Sequence, residues 1–200
     1  MKLPETGLAE YYLCVAAQLN PGPWVAHSQH AAEAARCIAE RHPRLEPEAG
    51  YVLGLLHDIG RRAGVSGMRH ILDGYHFMLE EGYPDVARIC LTHSYPMHRV
   101  ISAAPWDGST AELEFVEQFI TGVEYDDYDR LIQLCDCLTL PEGPVLMEKR
   151  LLDVALRYGV DEHTVPRWKS FLALREQFEQ ELGCSVYDLL PGVVKATFAK

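Results

Sequence analysis

Tyr51-Val52-Leu53-Gly54-Leu55-Leu56-His57-Asp58-Ile59-Gly60 is an apolar run that closes on an imidazole and a carboxylate side by side. Glu46-Pro47-Glu48 just upstream reads as a helix start, because the dipole favours acids there and proline lacks an N–H that the first turn would leave unpaired. The helix ends at His57-Asp58, before Gly60. Adjacent residues on a helix point about 100° apart, so His57 and Asp58 reach one point only if the helix end faces it.

Outward from that run, apolar positions recur at helical spacing and strand-like alternation is scarce, which predicts an all-α chain. Helices are expected at about Leu8–Leu19, stopped by Asn20-Pro21-Gly22-Pro23, and from Pro23 to about Arg41, stopped by His42-Pro43. Arg69–Glu81 and Pro84–His93 follow. Ser109 or Thr110, with Glu112 or Glu114, caps a helix to about Thr121, and Asp126, Asp127 and Asp129 crowd the start of one to Leu138. After the break at Pro141-Glu142-Gly143-Pro144 come Val145–Tyr158, Thr164–Leu182 and a short Val186–Leu190 segment. The expectation is a single domain over 1–200, an array of about eight or nine helices with a core at roughly 24–138 and a C-terminal helical extension at 145–190. The connection from Tyr95 to Ser109 is a lid candidate.

With 48% apolar residues in 200, the chain can bury a core without disulfides. Its 29 acids against 18 bases, a net charge of -11, argue against a nucleic-acid polymer as partner and favour a small ligand. No stretch approaches the ~18 apolar residues of a bilayer span, and Met1 to Gly7 lacks the apolar region of a signal peptide. A cytoplasmic protein is expected, with no membrane partner; a homodimer stays open. Cys14, Cys37 and Cys90 fall on apolar helical faces and read as buried free thiols, while Cys135 and Cys137 flank Asp136 at a spacing foreign to zinc knuckles.

His27, His57, Asp58, His70, His93 and Asp136 fall on different predicted helices, and four imidazoles with two carboxylates make a ligand set for two metals. Small Gly54 and Gly74 sit one turn from His57–Asp58 and His70 and leave room for neighbouring helices. His93 extends the stripe Val86, Ile89, Cys90. Asp136 lies among Leu131, Ile132, Leu134 and Leu138, where a carboxylate without a cation would cost several kcal/mol. His30 competes with His27; His42, His98 and His163 read as loop or surface residues.

These residues resemble the HD superfamily of metal-dependent phosphohydrolases over roughly Trp24 to Asp136. His27-Ser28-Gln29-His30-Ala31-Ala32 is similar to its first-ligand segment, which favours His27 over His30. Gly54 through Arg61 resembles the motif that names the family, His70-Ile71-Leu72-Asp73-Gly74 a further His element, Leu91-Thr92-His93-Ser94 the next, and Gln133-Leu134-Cys135-Asp136 the closing Asp. Two departures are Arg61, where many members carry Lys, and Ser94, where some two-metal members carry a second His. The stretch from Pro141 through Arg150 to Gly159 also resembles bacterial HD hydrolases.

The resemblance implies His27, His57, Asp58 and Asp136 around one ion, with Asp58 bridging to a second completed by His70 and His93. The two divalent ions are Fe or Mn in first place, with Zn, Co, Ni or Mg compatible. The implied activity is hydrolysis of a small phosphorylated, nucleotide-like substrate by metal-activated water, with His57, Asp58 and Arg61 at the reaction centre. Arg62, Arg69, His98, Arg99, Lys149 and Arg150 are further candidate phosphate clamps. Two alternatives are a diiron oxygenase of an organophosphonate or polyol, for which Tyr11, Tyr12 and Tyr95 are candidate substrate contacts, and a non-catalytic metal-binding regulatory module.

Overall fold

The computed structural model describes residues 1–102 and 104–199; Ala103, inside the connection read as a lid, and Lys200 lie outside the described residues. The centre of the fold is α3 (Pro47–Leu56), in which every residue from Gly50 to Leu56 is buried. Burying Leu53, Leu55 and Leu56 contributes about 1.5–3 kcal/mol each. Around it pack α1 (Thr6–Leu19), α2 (Pro23–Ala39), α5 (Pro84–Thr92) and α7 (Asp127–Cys137). On α2, Ala31 and Ala32 lie against Gly54 of α3 and Ala35 against Gly50. A methyl at Gly54 would lie 2.8 Å from the Cα of Ala32, so the closest approach of the two helices depends on that glycine.

The α-helical path stops at Leu56. Asp58 has φ -102° and ψ 13°, and a 3-10 turn over Ile59–Ala63 carries the chain onward. This turn is the platform for α4 (His70–Glu80). A Cβ on Gly60 would overlap the carbonyl oxygen of His70 and the amide of Gly74. The N-terminus of α4 is served from a distance: Asp107 accepts hydrogen bonds from the amides of Gly67 (2.6 Å) and Arg69 (2.8 Å), which otherwise have no intrahelical partner.

Capping boxes start α6 (Thr110–Gly122), from Ser109 and Glu112, and α7, from Asp126 and Asp129. Asp129 also faces inward: fully buried, it pairs with Arg88 of α5 and accepts from Thr92 at 2.6 Å, locking α5 to α7. Leu91, Tyr95, Ile71, Leu72, Val116 and Ile120 form a second, smaller core beneath α4, α5 and α6.

Beyond α7, the break at Pro141–Gly143 is a two-stranded antiparallel hairpin, β1 (Thr139–Leu140) with β2 (Gly143–Pro144). Then come α8 (Met147–Tyr158), α9 (Thr164–Leu182), which packs on α7, and the one-turn helices α10 (Val186–Leu189) and α11 (Val193–Thr197). The fold is all-α, with nine helices of nine or more residues among the described residues. The short α11 was not expected; Lys149 holds its end by donating to the carbonyls of Ala196 (2.9 Å) and Thr197 (2.7 Å). All six cysteines are free: Cys90, Cys135 and Cys137 are buried, Cys37 is half-buried, and Cys14 is exposed, contrary to expectation. No helix among the described residues is long and apolar enough to cross a membrane.

Candidate metal centre

The six residues named from the sequence come together. His57 is the last residue of the α3 path and Asp58 the first off it, so the bend turns both side chains toward His27 on α2, His70 at the start of α4, His93 at the end of α5 and Asp136 near the end of α7. The rings of His27 and His57 are 5.3 Å apart, those of His57 and His93 4.9 Å, and those of His70 and His93 5.8 Å. His27, His57, Asp58, His70 and His93 are each at most 6% exposed. Donor atoms of His27, His57 and Asp136 lie mutually within 4.8 Å, as do those of His57, Asp58 and His93, so His57 belongs to both groups.

The tautomers follow from the outer contacts. His57 Nδ1 lies 2.7 Å from the Gly54 carbonyl, His70 Nδ1 2.6 Å from that of Gly67, and His93 Nδ1 3.1 Å from that of Ile89. A carbonyl only accepts, so each Nδ1 carries the proton. Thr139 donates to the Cys135 carbonyl (2.9 Å), which leaves its oxygen to accept from His27 Nδ1 at 3.4 Å. In the neutral ring each Nε2 is then a bare lone pair turned to the interior, the arrangement by which outer hydrogen bonds orient metal-ligating histidines.

Those lone pairs meet acceptors. His70 Nε2 is 3.0 Å and His93 Nε2 3.6 Å from Asp58 Oδ1, and His27 Nε2 is 3.0 Å from Asp136 Oδ1. His57 Nε2 and Asp58 Oδ1 are buried with no hydrogen-bond partner. Buried polar atoms left unpaired cost free energy, and acceptors facing acceptors repel; a cation between them resolves both. The N and O donors, with no thiolate, suit a borderline or hard divalent metal.

Two guanidiniums flank the centre. Arg61 Nε donates to Asp58 Oδ2 at 2.7 Å, and Arg150 of α8 sits with Nη2 3.0 Å from Asp136 Oδ1. Burial alone would raise the pKa of both carboxyls. Arg61, with His70 and His57, overcomes it at Asp58, and Arg150, with His27 and His57, at Asp136, holding both well below the usual carboxylate range. Burial, the larger cause, pushes His93 down to about 3; burial also lowers His27. Asp136 already has its cation in Arg150, and its side chain is 17% exposed, so the cost of burying it is met in part without a metal.

Two clefts reach the centre. A wide one of about 470 Å³ is lined by Trp24, His27, Val65, Leu140, Glu142 and Asp153. A narrow one of about 130 Å³ is lined by His70, His93, Ser94, Ser102, Arg167 and Trp168. Asp58, Arg61, Arg150, Arg157 and Tyr158 line both. Of the clamps named from the sequence, Arg61 and Arg150 stand at the clefts. Arg62 stacks on Phe77, Arg69 pairs with Glu112, Lys149 caps α11, His98 stacks on Tyr125, and Arg99 lies exposed on another surface. His42, read as a surface residue, is buried against Glu181 at 2.8 Å, and His30 lines a separate depression. Tyr12 is tied to Glu81, Tyr11 is 61% exposed, and Tyr95 is locked in the second core, so none of these tyrosines lines either cleft.

Arg157 and Arg167 were missed. A signal existed for Arg157: Arg150, Val154 and Arg157 repeat at helical spacing on one face of α8. Arg167 follows a proline on a helix with no clear apolar stripe, and nothing in the sequence marks it.

The HD domain family model matches residues 24–140, more than half of the chain. The chain belongs to the HD-domain family, whose domains bind divalent metals and are typical of metal-dependent phosphohydrolases. In comparisons with curated proteins and with solved structures, none matches.

Proposed function

We propose that the protein is a metal-dependent phosphohydrolase that uses two divalent ions, Fe or Mn in first place, to cleave a phosphate ester or anhydride in a small nucleotide-like substrate. The observation that carries this reading is the set of inward, unprotonated Nε2 atoms facing buried Asp58 Oδ1. His27, His57 and Asp136 would hold one ion, and Asp58, His70 and His93 the other, with Asp58 turned to both. Such ions supply Lewis acidity, which polarises a phosphoryl oxygen and acidifies water.

The chain's own groups do the rest. Arg61 fixes the rotamer of Asp58 by holding Oδ2 and brings Nη2 to 3.4 Å from His70 Nε2, and as a lining residue of both clefts it offers a planar fork suited to a phosphoryl oxygen pair. Arg150 does the same for Asp136 from α8. The wide cleft, within the size range of small-molecule sites, takes the body of the substrate, with Trp24 and Tyr158 as apolar walls. The excess of acids over bases fits a small ligand better than a polymer, and four arginines, Arg61, Arg150, Arg157 and Arg167, line these clefts.

The test is phosphate release from a panel of nucleotides and dinucleoside polyphosphates by protein purified without oxygen and supplied with Mn or Fe. Release that disappears in Asp58→Ala is the expected result. Oxygen consumption with a phosphonate and no phosphate release would replace the hydrolase by the oxygenase; activity retained in Asp58→Ala would contradict the mechanism.

A further inference from the structure

Arg61 is paired with Asp58, Arg150 with Asp136 and Arg157 with Asp153. Arg167, the fourth guanidinium on the narrow cleft, is 6% exposed and has no carboxylate within 4.0 Å among the described residues. Its Nη1 is buried without a hydrogen-bond partner. Nearby Asp161 is turned away, accepting from Thr164 Oγ1 at 2.7 Å and from the His163 amide at 3.0 Å. Burial lowers the pKa of Arg167, and the charge of Asp161 offsets it only in part. A buried, unpaired charge is costly to keep, and this one lines a cavity of about 130 Å³ whose walls also include Asp58, His70 and His93. That volume holds a phosphate-sized group and little more, whereas the 470 Å³ cleft has room for a nucleoside.

We propose that Arg167, which lines the same cleft as Arg157, forms an oxyanion subsite that takes a second phosphate group of the substrate, next to the phosphoryl group held at the metal centre. Trp168 and Phe171 wall this arm of the cleft, and their low local dielectric strengthens a guanidinium–phosphate pair. Arg167 belongs to α9 and Arg157 to α8, both outside the residues 24–140 that match the HD domain. The substrate class is therefore a molecule with at least two phosphates, such as a nucleoside polyphosphate. The role of the neighbouring phosphoryl group rests on the phosphohydrolase reading; anion binding at Arg167 does not.

Two measurements separate the two. Inorganic phosphate is titrated calorimetrically into the protein as purified and into Arg167→Met, which keeps the side-chain volume and removes the charge. The variant should bind one phosphate per chain fewer, or the same site at least about tenfold more weakly, and should melt no lower than wild type, because no ion pair is lost. Arg167→Lys, which keeps the charge without the fork, should fall between them and serves if Arg167→Met does not fold. Second, with Mn added, Arg167→Met should lower kcat/KM for a nucleoside triphosphate by about tenfold or more, chiefly through KM, and leave a monophosphate within about twofold. Phosphate binding equal in the three proteins, or equal losses on both nucleotides, overturns the subsite. Phosphate binding that depends on Arg167 with no hydrolysis of any nucleotide overturns the hydrolase reading and leaves the subsite standing.

Discussion

Arg61 Nε lies 2.7 Å from Oδ2 of Asp58, and the other oxygen of that carboxylate, Oδ1, is left to His70 and His93. One carboxylate thus faces a permanent cation on one side and a set of lone pairs on the other. With no metal, Arg61 is the principal charge that keeps Asp58 ionised in a buried site.

Arg61→Met should therefore cost about 3–5 kcal/mol in the metal-free protein, the usual penalty for stranding a buried charge. A bound divalent ion supplies the missing positive charge, so the loss should shrink when Mn is added. Urea unfolding with and without Mn checks this; an equal loss in both would mean that no cation sits against Asp58.

Gly60→Ala should be among the most damaging single changes, because its methyl would overlap the backbone of His70 and Gly74. Backbone on both sides cannot yield as a flexible side chain can, so the cost should reach about 3 kcal/mol or more, read as a drop in Tm or as insoluble protein. Gly7→Ala, with open space around it, is the control that should lose nothing.

Asp107→Ala removes the acceptor for the amides of Gly67 and Arg69 at the start of α4. Loss of such a cap costs about 1 kcal/mol. Because the carbonyl of Gly67 also holds His70 Nδ1, affinity for the ion at His70 should fall by about tenfold. Metal titration that leaves this affinity unchanged while stability drops would uncouple the loop from the centre.

The metal-free protein should lose stability as pH falls below about 6.5. Burial lowers His27, and puts His93 at about 3, so the unfolded chain binds protons between these values that the folded chain does not. The penalty is absent above the unfolded pKa and grows toward acid, at about 1.4 kcal/mol per pH unit for each histidine. Asp58 and Asp136 add loss in the same direction below their ordinary range. Urea midpoints from pH 5 to 7.5 check it; a flat profile would mean that these rings take up protons in the fold as readily as in the unfolded chain.

Much of this was legible because it is local. Prolines and glycines punctuate helices by backbone sterics alone, so α1 to α9 fall within a few residues of their expected bounds. Gly54 and Gly74 next to the named histidines forecast the close packing found there. The six inward residues share the signature of polar side chains in apolar helical stretches. Other features depend on partners distant in sequence: Asp107 serving α4, Arg150 pairing with Asp136, and His42 buried against Glu181 of α9. No periodicity marks such contacts, and α11, at five residues, is shorter than periodicity can detect.

Elemental analysis of protein purified without oxygen, wild type beside Asp58→Ala and His70→Ala, tests the central claim most directly. The account predicts about two divalent ions per wild-type chain, a loss at the His70 site in His70→Ala, and little metal in Asp58→Ala. Wild-type protein without metal, or metal retained in Asp58→Ala, would contradict it.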